Sequence, residues 1–317
     1  MNYEELMKIH QQKQKQISDK QTIAQKIKRR FGSKSGKRHT RSGITLNLDI
    51  CPGLINQRIR EKKKLGRHWD NNRHKYIDFN NEEDAREYFN LRMDECKSIV
   101  NKEWRVHRSC FAYRLDSNFT NLPARIRNNL KLDDEDSTEI DIKSAQPSFL
   151  WTILNQQNTD QICKVELEAF KNKLHSDMYI EFSNLWNMPR NDAKVHFLSW
   201  IMAPINSKKY KNVRQYFEQA FPTLLQVIEK IKSIGAWYTD DDKERESHKY
   251  MSHLLQRFES EFMIDTVCPQ ILTLRPKFSF FTVHDAIYVP KSKAQIVLKI
   301  INDELIKQNT PTHATIK

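Results

Sequence analysis

The spacing of hydrophobic residues predicts a strand followed by a long helix in the first part of the chain. Apolar and polar residues alternate in GITLNLDICPG, which predicts a short strand within residues 43–53. Between residues 77 and 104 apolar residues recur at helical spacing, and acidic residues occupy the first turn. Asn80 or Asn81 can cap this segment, so a helix is predicted to begin directly after them.

The second half of the chain combines many helices with a few apolar strands. TEIDI (138–142) predicts a buried strand, and a helix follows over 145–156. Residues 160–270 follow helical spacing almost throughout, with a helix of about ten residues between the prolines of MPRNDAK and MAPIN. Two strands joined by a bend are predicted over 278–289, and an amphipathic helix over 291–308. This order of elements predicts the α+β class.

Length and composition favour a folded protein in the cytoplasm. The chain has 317 residues, of which 38% are hydrophobic, so it can bury a substantial core. It contains neither a long uninterrupted apolar run nor a signal-peptide pattern, and we therefore expect no membrane association. The five cysteines are scattered without a CxxC pair, which argues against a zinc ribbon or a disulfide framework.

Positive charge is concentrated at the start of the chain. The net charge is +13, and residues 1–43 hold 12 Lys or Arg against 3 Asp or Glu. A polar helix is predicted over 3–31, and the whole segment resembles a basic arm attracted to polyanions. A solubilising tail is the alternative. The residues expected to contact nucleic acid are Lys28, Arg29, Arg30, Lys37 and Arg38.

Three later segments contain residues suited to chemistry. Asp141 closes an apolar strand just before a turn into a helix, where a carboxylate can face a cleft. Arg190 and Lys194 are four residues apart and so share one helix face. Asp285 follows His284 at the bend between two apolar strands. A buried carboxylate requires a partner, which can be a structural cation or a metal ion.

The three segments together suit nucleotidyl transfer. This reaction uses two divalent ions about 4 Å apart, which activate a hydroxyl and neutralise the leaving pyrophosphate. Mg²⁺ prefers carboxylate oxygens. Two aspartates on neighbouring strands can therefore hold the ions, while a helix with two cations binds a triphosphate.

The same segments carry a resemblance to a known superfamily. DIKSAQPSFL (141–150), RNDAK (190–194) and VHDAIYV (283–289) resemble, in this order, motifs A, B and C of polymerases with a right-hand palm. A His-Asp pair in motif C is characteristic of family A DNA polymerases and of single-subunit phage-type RNA polymerases. YRLDSNFTNLPARIRNNL (113–130) is similar to the family A stretch that precedes motif A. The chain thus resembles a divergent, minimal member of this superfamily.

The resemblance implies a template-directed nucleotidyltransferase, with a small DNA polymerase as the first expectation. Its cofactors would be two Mg²⁺ or Mn²⁺ ions, and its partners a nucleic acid primer-template and nucleoside triphosphates. Replication or mobile-element proteins of a bacterial or phage-infected cell are further expected partners. The resemblance implies metal-site positions at Asp141, Ile142 and Asp285, and it implies catalytic roles for both aspartates and for Lys194. The implied nucleotide contacts are Arg190, Lys194, Gln146 and Phe197. The implied nucleic-acid contacts are Arg114, Arg125, Arg127 and His284.

The resemblance also implies a domain organisation, with an antiparallel-sheet palm, helical fingers and a reduced thumb. Its parts are a basic arm (1–43), a thumb-like helical region (44–112), the first part of the palm (113–160), the fingers (161–265) and the second part of the palm with the last helix (266–317). Some motif positions differ from family A: Gln146 replaces a glutamate, and Ala286 replaces an acidic residue after the motif C aspartate.

Several alternatives stay open on the sequence. Because Gln146 leaves the sugar preference undecided, an RNA polymerase or primase of the same lineage is the second expectation. A non-catalytic nucleic-acid-binding replication protein is the rival from another class. A His-Asp pair also marks metal phosphohydrolases, which carry it on a helix. Glu259 can face the palm, the template or plain solvent, and the acidic run at 239–246 is interpreted as a solvated loop.

Overall fold

The computed structural model of the chain describes residues 43–64, 67–70, 75–109, 113–156, 162–233 and 249–317. The predicted helix 3–31, the five cationic residues of the basic arm and the acidic run at 239–246 lie outside these ranges. The described chain divides into two compact units. The first contains the residues up to Arg108 together with Asp116–Ser137, and the second contains Ser109–Leu115 and Thr138–Lys317.

The elements up to residue 142 are mostly short. In chain order they are β1 (Ile44–Leu46), α1 (Cys51–Lys63), β2 (Arg67–Asp70), β3 (Lys75–Asp78), α2 (Glu82–Val100), β4 (Val106–Arg108), β5 (Leu115–Ser117), α3 (Asn118–Asn121), α4 (Ala124–Arg127), β6 (Leu130–Leu132) and β7 (Glu135–Ile142).

Helices dominate the remainder. They and the last strands are α5 (Ala145–Gln156), α6 (Lys164–His175), α7 (Met178–Trp186), α8 (Arg190–Met202), α9 (Lys211–Ala220), α10 (Pro222–Ser233), α11 (Lys249–Ser260), α12 (Cys268–Thr273), β8 (Phe281–Val283), β9 (Ala286–Pro290), α13 (Ala294–Lys307) and β10 (Ala314–Ile316). A π-helical stretch, Glu261–Val267, joins α11 to α12. No helix within the described ranges is long and apolar enough to cross a membrane.

The first unit packs two helices beside a small antiparallel sheet. β1 pairs with β6, and β6 pairs with the start of β7. The predicted helix α2 is confirmed, and the Asn81 side chain caps it by accepting hydrogen bonds from the backbone N–H groups of Glu83 and Asp84 at 2.8 and 3.5 Å. The short strand predicted within residues 43–53 is present as β1, which ends at Leu46 because Asn47 caps a helical turn and Pro52 favours the first turn of α1.

The second unit contains an antiparallel sheet with the strand order β10–β7–β9–β8. The predicted strand pair β8–β9 and the helices α5, α8 and α13 are all present, and α8 has 13 residues. The combination of helices and antiparallel sheet agrees with the predicted α+β class. Strand β10 was not expected from the sequence. It pairs with the end of β7 in the register Thr315↔Asp141.

An aromatic cluster forms the core of the helical part of the second unit. Phe217 of α9 is fully buried, and its ring centroid lies 4.7 Å from Trp200, 5.3 Å from Phe221, 5.8 Å from Phe170 and 5.9 Å from Phe197. These rings come from α6, α8 and α9 and from the residue that follows α9. Since aromatic pairs add to the free energy of simple area burial, Phe217 is a central contributor to the stability of this region.

Replacing Phe217 with alanine should therefore destabilise the chain strongly. The expected loss is about 3–5 kcal/mol in the free energy of unfolding, because the cavity would lie among rigid rings. Urea denaturation followed by tryptophan fluorescence measures it. Val195→Ala on the neighbouring helix is the control, since Val195 is 62% exposed and should cost less than about 0.5 kcal/mol. Equal effects of the two substitutions would contradict the assignment of this core.

Candidate active site

Asp141 lies near the end of β7, on the face of the strand opposite the core. Ile140 and Ile142 are buried, so the alternation of a strand directs Glu139 and Asp141 to the other side. The Asp141 side chain is 25% exposed, and its Oδ2 lies 2.9 Å from the Nζ of Lys317. Lys317 also contacts Glu139, with Nζ 2.7 Å from Oε1. The strand thus offers two carboxylates to one cation.

Asp285 lies in the tight turn of the β8–β9 hairpin. Val283 pairs with Ala286, so His284 and Asp285 are the two central residues of the turn. His284 has φ of 56°, a left-handed conformation that costs free energy in a residue other than glycine and that often occurs at functional sites. The N–H of Ile142 donates to the carbonyl oxygen of Asp285 at 3.3 Å. This bond brings the turn against the end of β7, and so brings the two aspartates together as expected.

The surroundings of Asp285 disfavour the ionised form of its carboxyl group. Burial, followed by repulsion from Asp141, raises the pKa of Asp285 to about 6. A backbone hydrogen bond and the positive charges of Arg114 and Lys194 act in the opposite direction. Asp285 is therefore a carboxylate whose ionised form is favoured by added positive charge.

A third carboxylate, Glu259, lies near Asp285. It is 2% exposed and accepts hydrogen bonds from Nε and Nη2 of Arg114 at 3.2 and 3.0 Å. Burial raises its pKa to about 7 despite Arg114, and Asp285 adds repulsion. The sequence left open whether Glu259 faces the palm or solvent. Its position four residues after the buried Leu255 and three before the buried Phe262 was the signal that it faces inward.

His284 and Arg114 share a small cavity in the second unit. Glu259, Ser260 and Thr282 also line it. An ion pair with Glu259 fixes the side chain of Arg114. The backbone next to it is also held, because the hydroxyl of Ser260 donates to the carbonyl oxygen of Tyr113, the residue before Arg114. The sequence-predicted residues Arg114, His284 and Asp285 therefore occupy one region. Because His284 and Asp285 lie on a hairpin and not on a helix, the phosphohydrolase alternative loses its structural basis.

The helix α8 presents two exposed cations over one buried ring. The Arg190 guanidinium lies 5.5 Å, and the Lys194 ammonium 5.9 Å, from the ring centroid of Tyr179. Arg190 is paired with Asp177, with Nη2 2.6 Å from Oδ2. Lys194 is the cation of this helix that acts on Asp285. The spacing of four residues placed both cations on one face, as the sequence indicated.

Phe197 does not occupy the position that the motif comparison implied. It was expected to contact a nucleotide, but it is completely buried and packs against Tyr179, Phe182 and Phe217. The reason is the apolar stripe of α8: Ala193, Phe197, Trp200 and Ile201 recur at helical spacing, and all four are buried. It stabilises the helix that carries the cations and has no surface to offer to a ligand.

Of the four remaining residues predicted for the site, two lie in the second unit and two in the first unit. Ile142 has a buried side chain, and Gln146 is the second residue of α5, half-buried. Arg125 and Arg127 belong to the first unit. There Arg125 pairs with Glu61 at 2.5 Å, and Arg127 donates to the carbonyl oxygen of Leu122.

The donor set of the site fits a divalent cation that substrate helps to bind. No group of three or more His, Cys, Asp or Glu side chains within the described ranges is arranged to hold a metal. Mg²⁺, however, is commonly held by one or two carboxylates, several waters and the phosphates of a substrate. Asp141 already binds a cation, the ammonium of Lys317, and nearby positive charge favours the ionised form of Asp285. Asp141 and Asp285 therefore meet the chemical requirement.

Comparisons with known proteins add a structural likeness. No protein-family model matches the chain, and no curated protein matches it either. The chain is similar to the POL domain of Pol1 from M. smegmatis, solved in complex with DNA primer-template and dNTP, with 10% identity and a TM-score of 0.40. The match covers 86% of this chain and 66% of that chain. A TM-score of this size does not define a common fold, so function has to follow from the residues of the site.

The raised pKa values predict a pH dependence of stability. The folded-state pKa of Asp285, about 6, exceeds its ordinary 3.8, and that of Glu259, about 7, exceeds its ordinary 4.5. The unfolded state therefore binds fewer protons in this window, and the free energy of unfolding should fall as pH rises from about 4 to 7. Urea denaturation at pH 5 and pH 7.5 in the presence of a chelator measures this difference.

Asp285→Asn should remove part of this penalty. At pH 7.5 we expect the variant to be more stable than the unchanged protein by about 1–3 kcal/mol, with a weaker dependence on pH. Asp303→Asn is the matched control, because Asp303 is an acid of α13 whose side chain is 46% exposed and pairs with Lys299. A variant at Asp285 that is less stable than the unchanged protein would show that its carboxylate stabilises the fold.

Proposed function

We propose that this chain is a template-directed nucleotidyltransferase, a small DNA polymerase that adds nucleotides to a primer 3′-hydroxyl. The proposal is supported mainly by one observation: the N–H of Ile142 binds the carbonyl oxygen of Asp285 and joins the strand of Asp141 to the turn of Asp285. This contact brings together two carboxylates that are 144 residues apart in the chain. Lys194 and Arg114 act on Asp285 from two other elements.

The aspartates are assigned to metal binding. Asp141 and Asp285 would hold Mg²⁺ or Mn²⁺, which when bound activates a hydroxyl and neutralises a leaving pyrophosphate. The chain prepares this role by keeping Asp285 partly buried beside Asp141, so that a bound cation is favoured by the repulsion between the carboxylates. Arg114 offsets part of that repulsion and is itself held by Glu259.

The cations of α8 are assigned to the triphosphate. Lys194 is exposed and close enough to act on Asp285, so its ammonium can neutralise phosphate oxygens beside the metal site. Arg190 has a partner in Asp177 and would exchange that carboxylate for a phosphate. Gln146, in the first turn of α5, would contact the sugar of the incoming nucleotide. His284 would lie near the primer end.

The polymerase domains follow from the same proposal. Residues 113–160 and 266–317 would form the palm, which would include the strands β10, β7, β9 and β8, and the helices within 161–265 would be the fingers. Residues 44–112 would form a thumb-like region, and Arg125 and Arg127, within the first part of the palm, would contact nucleic acid. The basic segment 1–43 would bind the nucleic acid backbone, in a cytoplasmic enzyme of a phage or mobile element.

Primer extension tests the proposal. The full chain should extend a labelled DNA primer on a template with dNTPs and Mg²⁺, and Asp141→Asn or Asp285→Asn should lower the rate by about 10²-fold or more. Asp303→Asn should retain the rate. Since Asp285→Asn is expected to fold stably, its loss of activity would report on chemistry. Full activity of either active-site variant would contradict the mechanism.

The same assay separates the alternatives. Incorporation of NTPs on template alone, without a primer, would assign the chain to RNA polymerases or primases of the same lineage. Binding of the primer-template without incorporation of any nucleotide would instead identify a non-catalytic nucleic-acid-binding protein.

Lys194→Ala should weaken nucleotide use specifically. Removing the ammonium should raise the KM for dNTP by about 10-fold or more, because a charge-assisted contact to phosphate is lost. The affinity for primer-template, measured by fluorescence anisotropy, should change little. Lys208→Ala is the control, since Lys208 is an exposed lysine of the segment that follows α8. An equal rise in KM for both variants would remove Lys194 from the site.

A further inference from the structure

Lys317 forms an ion pair with Asp141, and it is not among the residues that the motif resemblance implied. Strand β10 runs antiparallel to the end of β7, with Ile316 opposite Ile140 and Thr315 opposite Asp141. Lys317 continues this register, and its N–H donates to the carbonyl oxygen of Glu139 at 2.9 Å. Its ammonium reaches both carboxylates of this face, 2.7 Å from Glu139 and 2.9 Å from Asp141.

The backbone that carries Lys317 is firmly anchored. The N–H of Ala314 donates to Oδ1 of Asn302 in α13 at 2.7 Å. The N–H of Lys143 donates to the carbonyl oxygen of His313 at 3.0 Å, on the other side of the strand. These bonds hold β10 between β7 and α13. Because the backbone is fixed, the Lys317 ammonium stays within reach of Asp141.

The side chain, in contrast, can leave at low cost. It is 54% exposed, and exposed ion pairs contribute little to stability. Glu139 has a second partner, the hydroxyl of Tyr288, so one of its carboxylate oxygens remains bonded when the lysine departs. A lysine stem of four carbons can carry the ammonium into solvent without moving the strand.

We propose that Lys317 sets the divalent-cation affinity of the site, because its ammonium occupies the Asp141 carboxylate and has to be displaced when a metal ion binds. The inference rests on the proposed function, in which Asp141 is a metal ligand. A divalent ion at about 2.1 Å from a carboxylate oxygen and an ammonium on the same carboxylate repel each other strongly, so the two compete. Lys317 thus keeps Asp141 neutralised until an ion arrives.

Manganese binding to the full chain tests this inference without any measurement of activity. Titration of Mn²⁺ followed by electron paramagnetic resonance should show tighter binding by Lys317→Met than by the unchanged protein, by about two- to fivefold, the range given by an exposed ion pair. Lys317→Arg keeps the charge and should bind as weakly as the unchanged protein. Lys299→Met is the matched control, because it removes an exposed lysine of α13 and should leave the affinity unchanged.

The reactivity of the lysine provides an independent readout. Acetylation of Lys317 by an amine reagent, quantified by mass spectrometry, should increase when Mn²⁺ is added to the unchanged protein, because the ammonium is released from the carboxylates. Lys299 should show no such increase. Protection of Lys317 that persists at saturating Mn²⁺ would overturn the inference.

The outcomes also separate this inference from the proposed function. If Asp141→Asn and Asp285→Asn weaken Mn²⁺ binding while Lys317→Met binds as the unchanged protein or more weakly, the competition is wrong and the metal site stands. If neither aspartate substitution affects Mn²⁺ binding, the metal site itself is wrong, and the competition falls with it. Circular dichroism of each variant establishes that the fold is retained.

Discussion

The arrangement of charged side chains in the second unit follows from one constraint, the repulsion between the neighbouring carboxylates of Asp141 and Asp285. Asp141 and Asp285 come together because a strand end and a hairpin turn share a backbone hydrogen bond. Their repulsion is offset from separate elements, by Arg114, by Lys194 of α8 and by Lys317 after β10. The fold of this unit therefore places three positively charged side chains around the carboxylates of Asp141 and Asp285.

Backbone geometry makes that arrangement specific. A shift of one residue in the pairing of β7 would exchange its two faces and turn Glu139 and Asp141 toward the core. The register with β10, and the bond from Ile142 to Asp285, oppose such a shift. His284 accepts a left-handed conformation in the turn, which indicates that the surrounding strands impose the turn's shape at the expense of local strain.

Sequence patterns located most of the elements and the principal charged residues. Helical spacing with an asparagine cap defined α2, and the Arg190–Lys194 spacing placed two cations on one face of α8. The apolar stripe of Ala193, Phe197, Trp200 and Ile201 indicates that Phe197 faces the aromatic core and not a nucleotide. Glu259 was recognisable as inward-facing from its apolar neighbours, but its partner Arg114, 145 residues away, was not. A contact over that distance leaves no periodic trace in the chain.

The sequence by itself determined the class of fold, the residue types suited to two-metal chemistry and the strand–turn positions that carry them. These features are local, since they depend on the alternation of side chains and on spacing within single helices. Only the tertiary structure decided that Asp141 and Asp285 share a site, that Glu259 supports Arg114, and that Lys317 neutralises Asp141. Each depends on how distant segments pack. The pairing of β10 with β7 is the clearest case, because a three-residue strand carries almost no signal until its partner is in place.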